Sequence, residues 1–191
     1  MRRAAPALAT LAPLMWLTGC GSDADHNDAD VEFATAMIEH HAQAIQMANF
    51  TIGRDGLDPQ IAGLAEQIRV DQTEEIDTMS AWLEEWGEPV PETGFATGDG
   101  HTHSEDSGSD DHGDMPGMAS GADMDALAEA PDAEFEEQWL ATMLEHHEGA
   151  VAMAGEVADA GESPEVEELA ESIKADQQAE IEEMTSWLDE T

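Results

Sequence analysis

Apolar side chains recur at steps of three and four along this chain, and no comparable stretch alternates with period two, so the pattern predicts helices and no strands. Phe33, Met37, Ala44 and Met47 mark one face of a first segment, and Ile61, Leu64, Ile68, Met79 and Trp82 mark the next. The helix punctuation agrees. Asp58-Pro59 and Ser163-Pro164 each set a capping side chain before a proline at the first helical position, where the missing N–H costs nothing. Gly53, Gly56, Gly87 and Gly161 stand where helices should stop. Helices are therefore predicted near 29–54, 59–86, 132–160 and 164–190, with a brief one around Asp123–Glu129. Two antiparallel hairpins of this kind pack as an all-α four-helix bundle.

The two hairpins are copies of one unit. Phe33-x-x-x-Met37-x-x-His40-His41-x-x-Ala44-x-x-Met47-Ala48 returns as Trp139-x-x-x-Met143-x-x-His146-His147-x-x-Ala150-x-x-Met153-Ala154. A second block follows in each half: Asp71-Gln72, Glu75-Ile76, Met79 and Trp82-Leu83 return as Asp176-Gln177, Glu180-Ile181, Met184 and Trp187-Leu188. The spacing slips by a single residue, in the loop between the blocks.

At about 100° per residue, Met37, His40, His41, Ala44 and Met47 share one broad face, as do Met143, His146, His147, Ala150 and Met153. The histidines thus fall inside an apolar stripe. A lone core histidine is usually a satisfied structural group, but two adjacent ones, twice, with flanking thioethers, favour metal binding. The partner helices place Glu75 and Glu180 in their apolar stripes, where an ionised carboxylate is costly unless paired. Hairpin geometry sets each His-His step level with Asp-Gln-x-x-Glu. Glu75 and Glu180 then either staple each hairpin through imidazole N–H groups or orient metal-ligating histidines, as ligand histidines generally require. Asp71, Asp176, Met79 and Met184 lie close enough in the motif to serve as alternative ligands.

The choice of metal follows from ligand softness. Di-iron bundles of the ferritin type use Glu-x-x-His on facing helices, whereas here the position three before each first histidine is Met37 or Met143. A thioether in place of a hard oxygen favours Cu(I), and by the same softness Ag(I), over iron or manganese. Met47 and Met153 add sulfur two turns on. Methionine at helical spacing is also common core filler, so the sulfur atoms weigh less than the histidines.

The N-terminus changes the setting. Arg2 and Arg3, an apolar stretch from Ala4 to Leu17 and the closing Leu17-Thr18-Gly19-Cys20 read as a secretory leader ending in a lipobox over residues 1–20. The stretch is short and broken by Pro6 and Pro13, which argues against a spanning helix. Cys20 is the only cysteine, cannot form an internal disulfide, and is the expected lipidation site, so the protein is expected outside the cytoplasm and anchored to the envelope. Beyond the leader only Arg54, Arg69 and Lys174 are basic, against 45 Asp and Glu. Such a surface repels nucleic acid and anionic headgroups; it fits salt adaptation or a soluble acidic coat and also concentrates cations.

Residues 21–28 read as a polar tether, 29–87 as the first hairpin repeat and 120–191 as a short helix with the second repeat. Between them, residues 88–119 are rich in Gly, Ser, Asp, Pro and His and poor in large apolar groups, which predicts a flexible, disordered linker. It carries His101, His103, His112, Met115 and Met118, and short His- and Met-rich tracts suit weak, exchangeable metal capture. Tyrosine is absent, and no Gly-x-Ser-x-Gly, nucleophilic cysteine or phosphate-cradling loop is present, so catalysis is not expected. Two other readings stay open: an oxidoreductase with Asp71, Glu75, Asp176 and Glu180 as oxygen ligands, and a structural or partner-binding bundle.

With these motifs in view, the chain resembles the bacterial family known as domain of unknown function 305. Phe33 to Leu83 and Trp139 to Leu188 each carry the family's pattern, and Met115-Pro116-Gly117-Met118 leading into Met124-x-x-Leu127 resembles its lead-in to the second copy. Trp139 stands where Phe is usual and Glu136 where Asp is usual, and the acidity is unusual. The resemblance implies a ferritin-like bundle, export, and association with copper or silver handling. Its partners would be metal ions, the membrane through the anchor, and a copper-handling protein or a second copy of the chain.

Overall fold

A computed structural model describes residues 26–93 and 115–189. Among the described residues five helices follow one another: α1 (Asp28–Asn49), α2 (Pro59–Trp86), α3 (Gly121–Glu129), α4 (Asp132–Ala160) and α5 (Pro164–Leu188). No strand occurs among the described residues. The lipobox with Cys20 and the linker histidines His101, His103 and His112 lie outside them.

Two of the helix starts, those of α2 and α5, are the ones the sequence caps predict. Asn27 and Asp30 form a reciprocal capping box on α1, and Ser120 and Asp123 do the same on α3. Asp58 and Ser163 cap α2 and α5 ahead of Pro59 and Pro164. One boundary differs by more than two residues: α1 stops at Asn49, short of residue 54. Its last carbonyls are taken by other donors. Trp139 Nε1 donates to Met47 O at 2.9 Å, and Thr51 Oγ1 donates to Ala48 O at 2.7 Å. The turn that follows frees Arg54 to donate to the carbonyls of Ala128 and Ala130 at the end of α3 and to lie 3.6 Å over the Phe135 ring.

α1 with α2 and α4 with α5 make the two hairpins, and α1 and α4 lie side by side between them. These central helices run antiparallel, since the start of α4 meets the end of α1 through Trp139 and Met47. At the other end, Asp30 Oδ2 accepts from the backbone N–H groups of Glu162 and Ser163 ahead of α5, at 3.0 and 3.2 Å. Its repeat equivalent Glu136 accepts from Asp58 N ahead of α2 at 2.6 Å. Each copy of the repeat therefore holds the backbone at the start of a helix of the other.

Two apolar cores result, each built from both copies. One gathers Met47, Leu64, Ile68, Leu127, Phe135, Trp139, Met143 and Met184. The other gathers Phe33, Met37, Ile38, Met79, Leu83, Met153, Val166 and Ile173. The His-His steps of α1 and α4 fall between the two cores along both central helices.

Candidate metal centre

All four motif histidines are buried: His40, His41 and His147 are fully enclosed and His146 is 1% exposed. The antiparallel crossing of α1 and α4 brings the two copies together, with the His40 and His146 rings 3.8 Å apart between centroids and tilted by 39°. His41 and His147 turn back toward their own hairpins. His147 Nε2 donates to Glu180 Oε2 at 2.8 Å, and His41 Nε2 stands 2.7 Å from Glu75 Oε2, though at an angle short of a good hydrogen bond. The register deduced from hairpin geometry therefore holds at Glu75 and Glu180. It does not hold at Asp71 and Asp176, which are exposed. An all-oxygen site of Asp71, Glu75, Asp176 and Glu180 is not assembled, because the two carboxylates that face inward are already held by different histidines.

The polar residue buried on this face is the neighbour of each aspartate. Gln72 and Gln177 are each 3% exposed, with both amide atoms unpartnered. Sequence reasoning passed over them, although Gln72 lines up with Ile68 and Met79, and Gln177 with Ile173 and Met184, whereas Asp71 and Asp176 are each turned about 100° from the glutamine beside them.

Ring nitrogens are left over. His40 Nε2 donates to the Pro116 carbonyl at 3.0 Å, while Nδ1 of His40, His41 and His147 and both nitrogens of His146 are buried without a hydrogen-bond partner. Burial holds His40 neutral, lowering its pKa from 6.5 to about 3, with His41 and His147 adding to the effect and the Pro116 bond opposing it. His146 is likewise held well below its usual value, first by burial and then by His40, His147 and His41, with the His40 backbone opposing. Neutral imidazoles with enclosed, unused lone pairs are what a metal ion takes up. Orphaned polar atoms in a sealed core also call for a partner on energetic grounds. Among the described residues no three His, Cys, Asp or Glu side chains form a ready-made chelate. A site here must therefore combine imidazole with another donor.

Thioethers flank the layer on both sides. Of the repeat's methionines, Met37, Met79 and Met153 belong to one core, and Met143, Met184 and Met47 to the other, so that each side draws two of them from one copy and one from its twin. All six are buried.

Met115 and Met118, assigned above to the disordered linker, belong instead to a strap seated on α1 and α4. Gly117 takes a φ of 76° with its Cα against the helix backbone, and a side chain at Gly149 would collide with the Pro116 carbonyl. Gln43 donates to Ala119 O at 2.9 Å and accepts from Ala119 N at 2.8 Å. Backbone hydrogen bonds and glycine contact hold the strap, and these leave no mark in a hydrophobicity count. Beside it runs a groove of about 290 Å³, lined by Phe33, Met115, Pro116 and Met153, with Glu32 and Glu156.

The family described as domain of unknown function (DUF305) matches residues 30–188. A DUF305 fragment from Deinococcus radiodurans is 34% identical, with a TM-score of 0.72 over 86% of this chain and 98% of that one. CopM, solved in Cu(I)-bound form, is 30% identical, with a TM-score of 0.64 over 84% of this chain and 96% of that one. CopM has also been solved with Cu(II) and with Ag bound. A DUF305 protein from Streptomyces coelicolor, named as secreted, is 29% identical, with a TM-score of 0.67 over 85% and 93% of the two chains. No curated protein matches. With the match spanning both hairpins and the strap between them, this chain belongs to the DUF305 family.

Proposed function

We propose that this chain binds copper, as Cu(I) above all and Ag(I) by the same chemistry, and sequesters, buffers or delivers it outside the cytoplasm. The observation that carries the reading is the buried layer where His40 and His146 meet, with unused ring nitrogens between two sets of buried methionines. The ligands would come from Met37, His40, His41, Met47, Met143, His146, His147 and Met153. Glu75 and Glu180 would orient His41 and His147 through Nε2, which leaves Nδ1 for the ion. Two or three mixed nitrogen and sulfur donors suit Cu(I) and Ag(I), whereas hard octahedral cations prefer oxygen. The copper- and silver-bound CopM structures support the same class of cargo.

The groove beside the strap offers the thioethers of Met115 and Met153, with Glu32 and Glu156 to attract cations. His101, His103, His112 and Met118 would collect ions ahead of it. Cys20 would carry the lipid that anchors the protein on the outer face of a membrane, within reach of a copper-handling partner or a second copy of the chain.

Titration of the apo-protein with Cu(I) against a competing chelator tests this. Joint replacement of His40, His41, His146 and His147 by Gln should abolish tight binding while circular dichroism reports an intact helical fold. Unchanged tight binding by that variant would refute the helical site. Tight iron binding with oxygen consumption by the native chain would favour an oxidoreductase instead.

A further inference from the structure

One of the positions at which the two copies differ beside the histidine layer touches the strap. Residue 43 in the first copy is glutamine, and its counterpart in the second, residue 149, is glycine. Gln43 grips Ala119 through both ends of its amide, while Gly149 offers the bare backbone on which Pro116 and Gly117 lie. The strap is thereby seated asymmetrically: the Pro116 carbonyl meets His40 Nε2 at 3.0 Å, and the ring nitrogens of His146 have no such partner.

The hydrogen bond determines the tautomer. A carbonyl oxygen only accepts, so Nε2 of His40 carries the proton, and a neutral imidazole has one N–H. Nδ1 then keeps its lone pair, buried and without a partner. His147 likewise pairs its Nε2 with a side-chain oxygen, Glu180 Oε2 at 2.8 Å, and its Nδ1 is buried without a partner.

We infer that the Met115–Ala119 strap is a positioning element of the metal centre: Pro116 holds His40 in the Nε2–H tautomer, so that Nδ1 is the atom presented to a soft cation. The inference rests on the copper and silver reading above. Metal-ligating histidines commonly donate their other N–H to a backbone carbonyl, and loss of such a partner lowers metal affinity by about 10- to 100-fold. Gln43 and Gly149 act only through the strap. In the second copy no strap carbonyl meets His146, whose ring lies against the His40 backbone instead.

Long-range ¹H–¹⁵N spectra of the whole ¹⁵N-labelled chain read the tautomer in the metal-free protein. Ag(I), redox-inert and of nuclear spin one-half, reads the ligating nitrogen by its scalar coupling. The expected result is Nε2–H at His40 without metal, and silver coupling at its Nδ1. Gly149→Ala, which unseats Pro116, should abolish the single-tautomer signature and weaken Ag(I) binding about ten-fold or more. Gly155→Ala on the same helix has open space around its Cβ and should change neither readout. If Gly149→Ala fails to fold, Gln43→Ala removes the Ala119 grip and should move both readouts the same way. An Nδ1–H tautomer in the metal-free chain, or silver on Nε2, would overturn the strap's role. A correct tautomer with no Ag(I) uptake would overturn the metal reading on which the inference depends.

Discussion

Lowering the pH of the metal-free protein should destabilise it well before its carboxylates titrate. His40 is buried and neutral, with a pKa lowered from 6.5 to about 3. In the unfolded chain the same imidazole takes up a proton near 6.5, so between those two values the unfolded state binds more protons. Stability is therefore fully present above pH 6.5 and is lost as pH falls through that value toward about 3. Each pH unit in this window costs about 1.4 kcal/mol per histidine, which makes about 2 kcal/mol at pH 5 from His40 alone. His146 acts in the same direction. Repulsion within a chain of net charge −40 relaxes on acidification and works the other way. The informative quantity is therefore the difference between wild type and His40→Gln, whose neutral amide can still donate to Pro116. Urea unfolding with chelator present, at steps from pH 7.5 to about 5, should show the wild type losing about 2 kcal/mol relative to the variant. A difference that stays flat across this range would refute a neutral, buried His40.

Three further outcomes follow from particular contacts. Glu180→Ala strands His147 Nε2 in the core and should cost about 1–3 kcal/mol by denaturant unfolding, with Glu75→Ala costing less because Glu75 is more exposed and its angle to His41 is poorer. Trp139→Phe removes the indole bond to Met47 O between the copies and should cost about 2 kcal/mol, read as a lower unfolding midpoint with an unchanged slope. Joint Met37→Leu and Met143→Leu should leave stability within about 3 kcal/mol of wild type while weakening Cu(I) binding. Unaltered affinity in that variant would show that these sulfurs are filler.

Periodicity and capping made the helices legible, because apolar spacing and the pairs Asp58-Pro59 and Ser163-Pro164 are local signals. The repeat made the His–Glu register legible as well, since hairpin arithmetic sets each His-His step level with Asp-Gln-x-x-Glu; that His41 and His147 are the members that meet Glu75 and Glu180 is seen only in the structure. The meeting of His40 with His146 was out of reach. It depends on how α1 crosses α4, and that crossing is decided by long-range contacts such as Asp30 with Ser163 and Trp139 with Met47. The strap was misread because backbone hydrogen bonds and glycine contact, rather than burial of large side chains, hold it in place. Comparing the copies position by position, Gln43 against Gly149, was the available clue. The same face logic that chose Glu75 also selects Gln72 over Asp71.

The central claim is that imidazole and thioether donors from both copies converge on one kind of ion. X-ray absorption at the copper edge of the Cu(I)-loaded chain tests it most directly. The account predicts nearest neighbours of both nitrogen and sulfur, with the imidazole signature weakened in a His40→Gln, His146→Gln variant. A shell of oxygen alone, or a spectrum indifferent to those two substitutions, would contradict it.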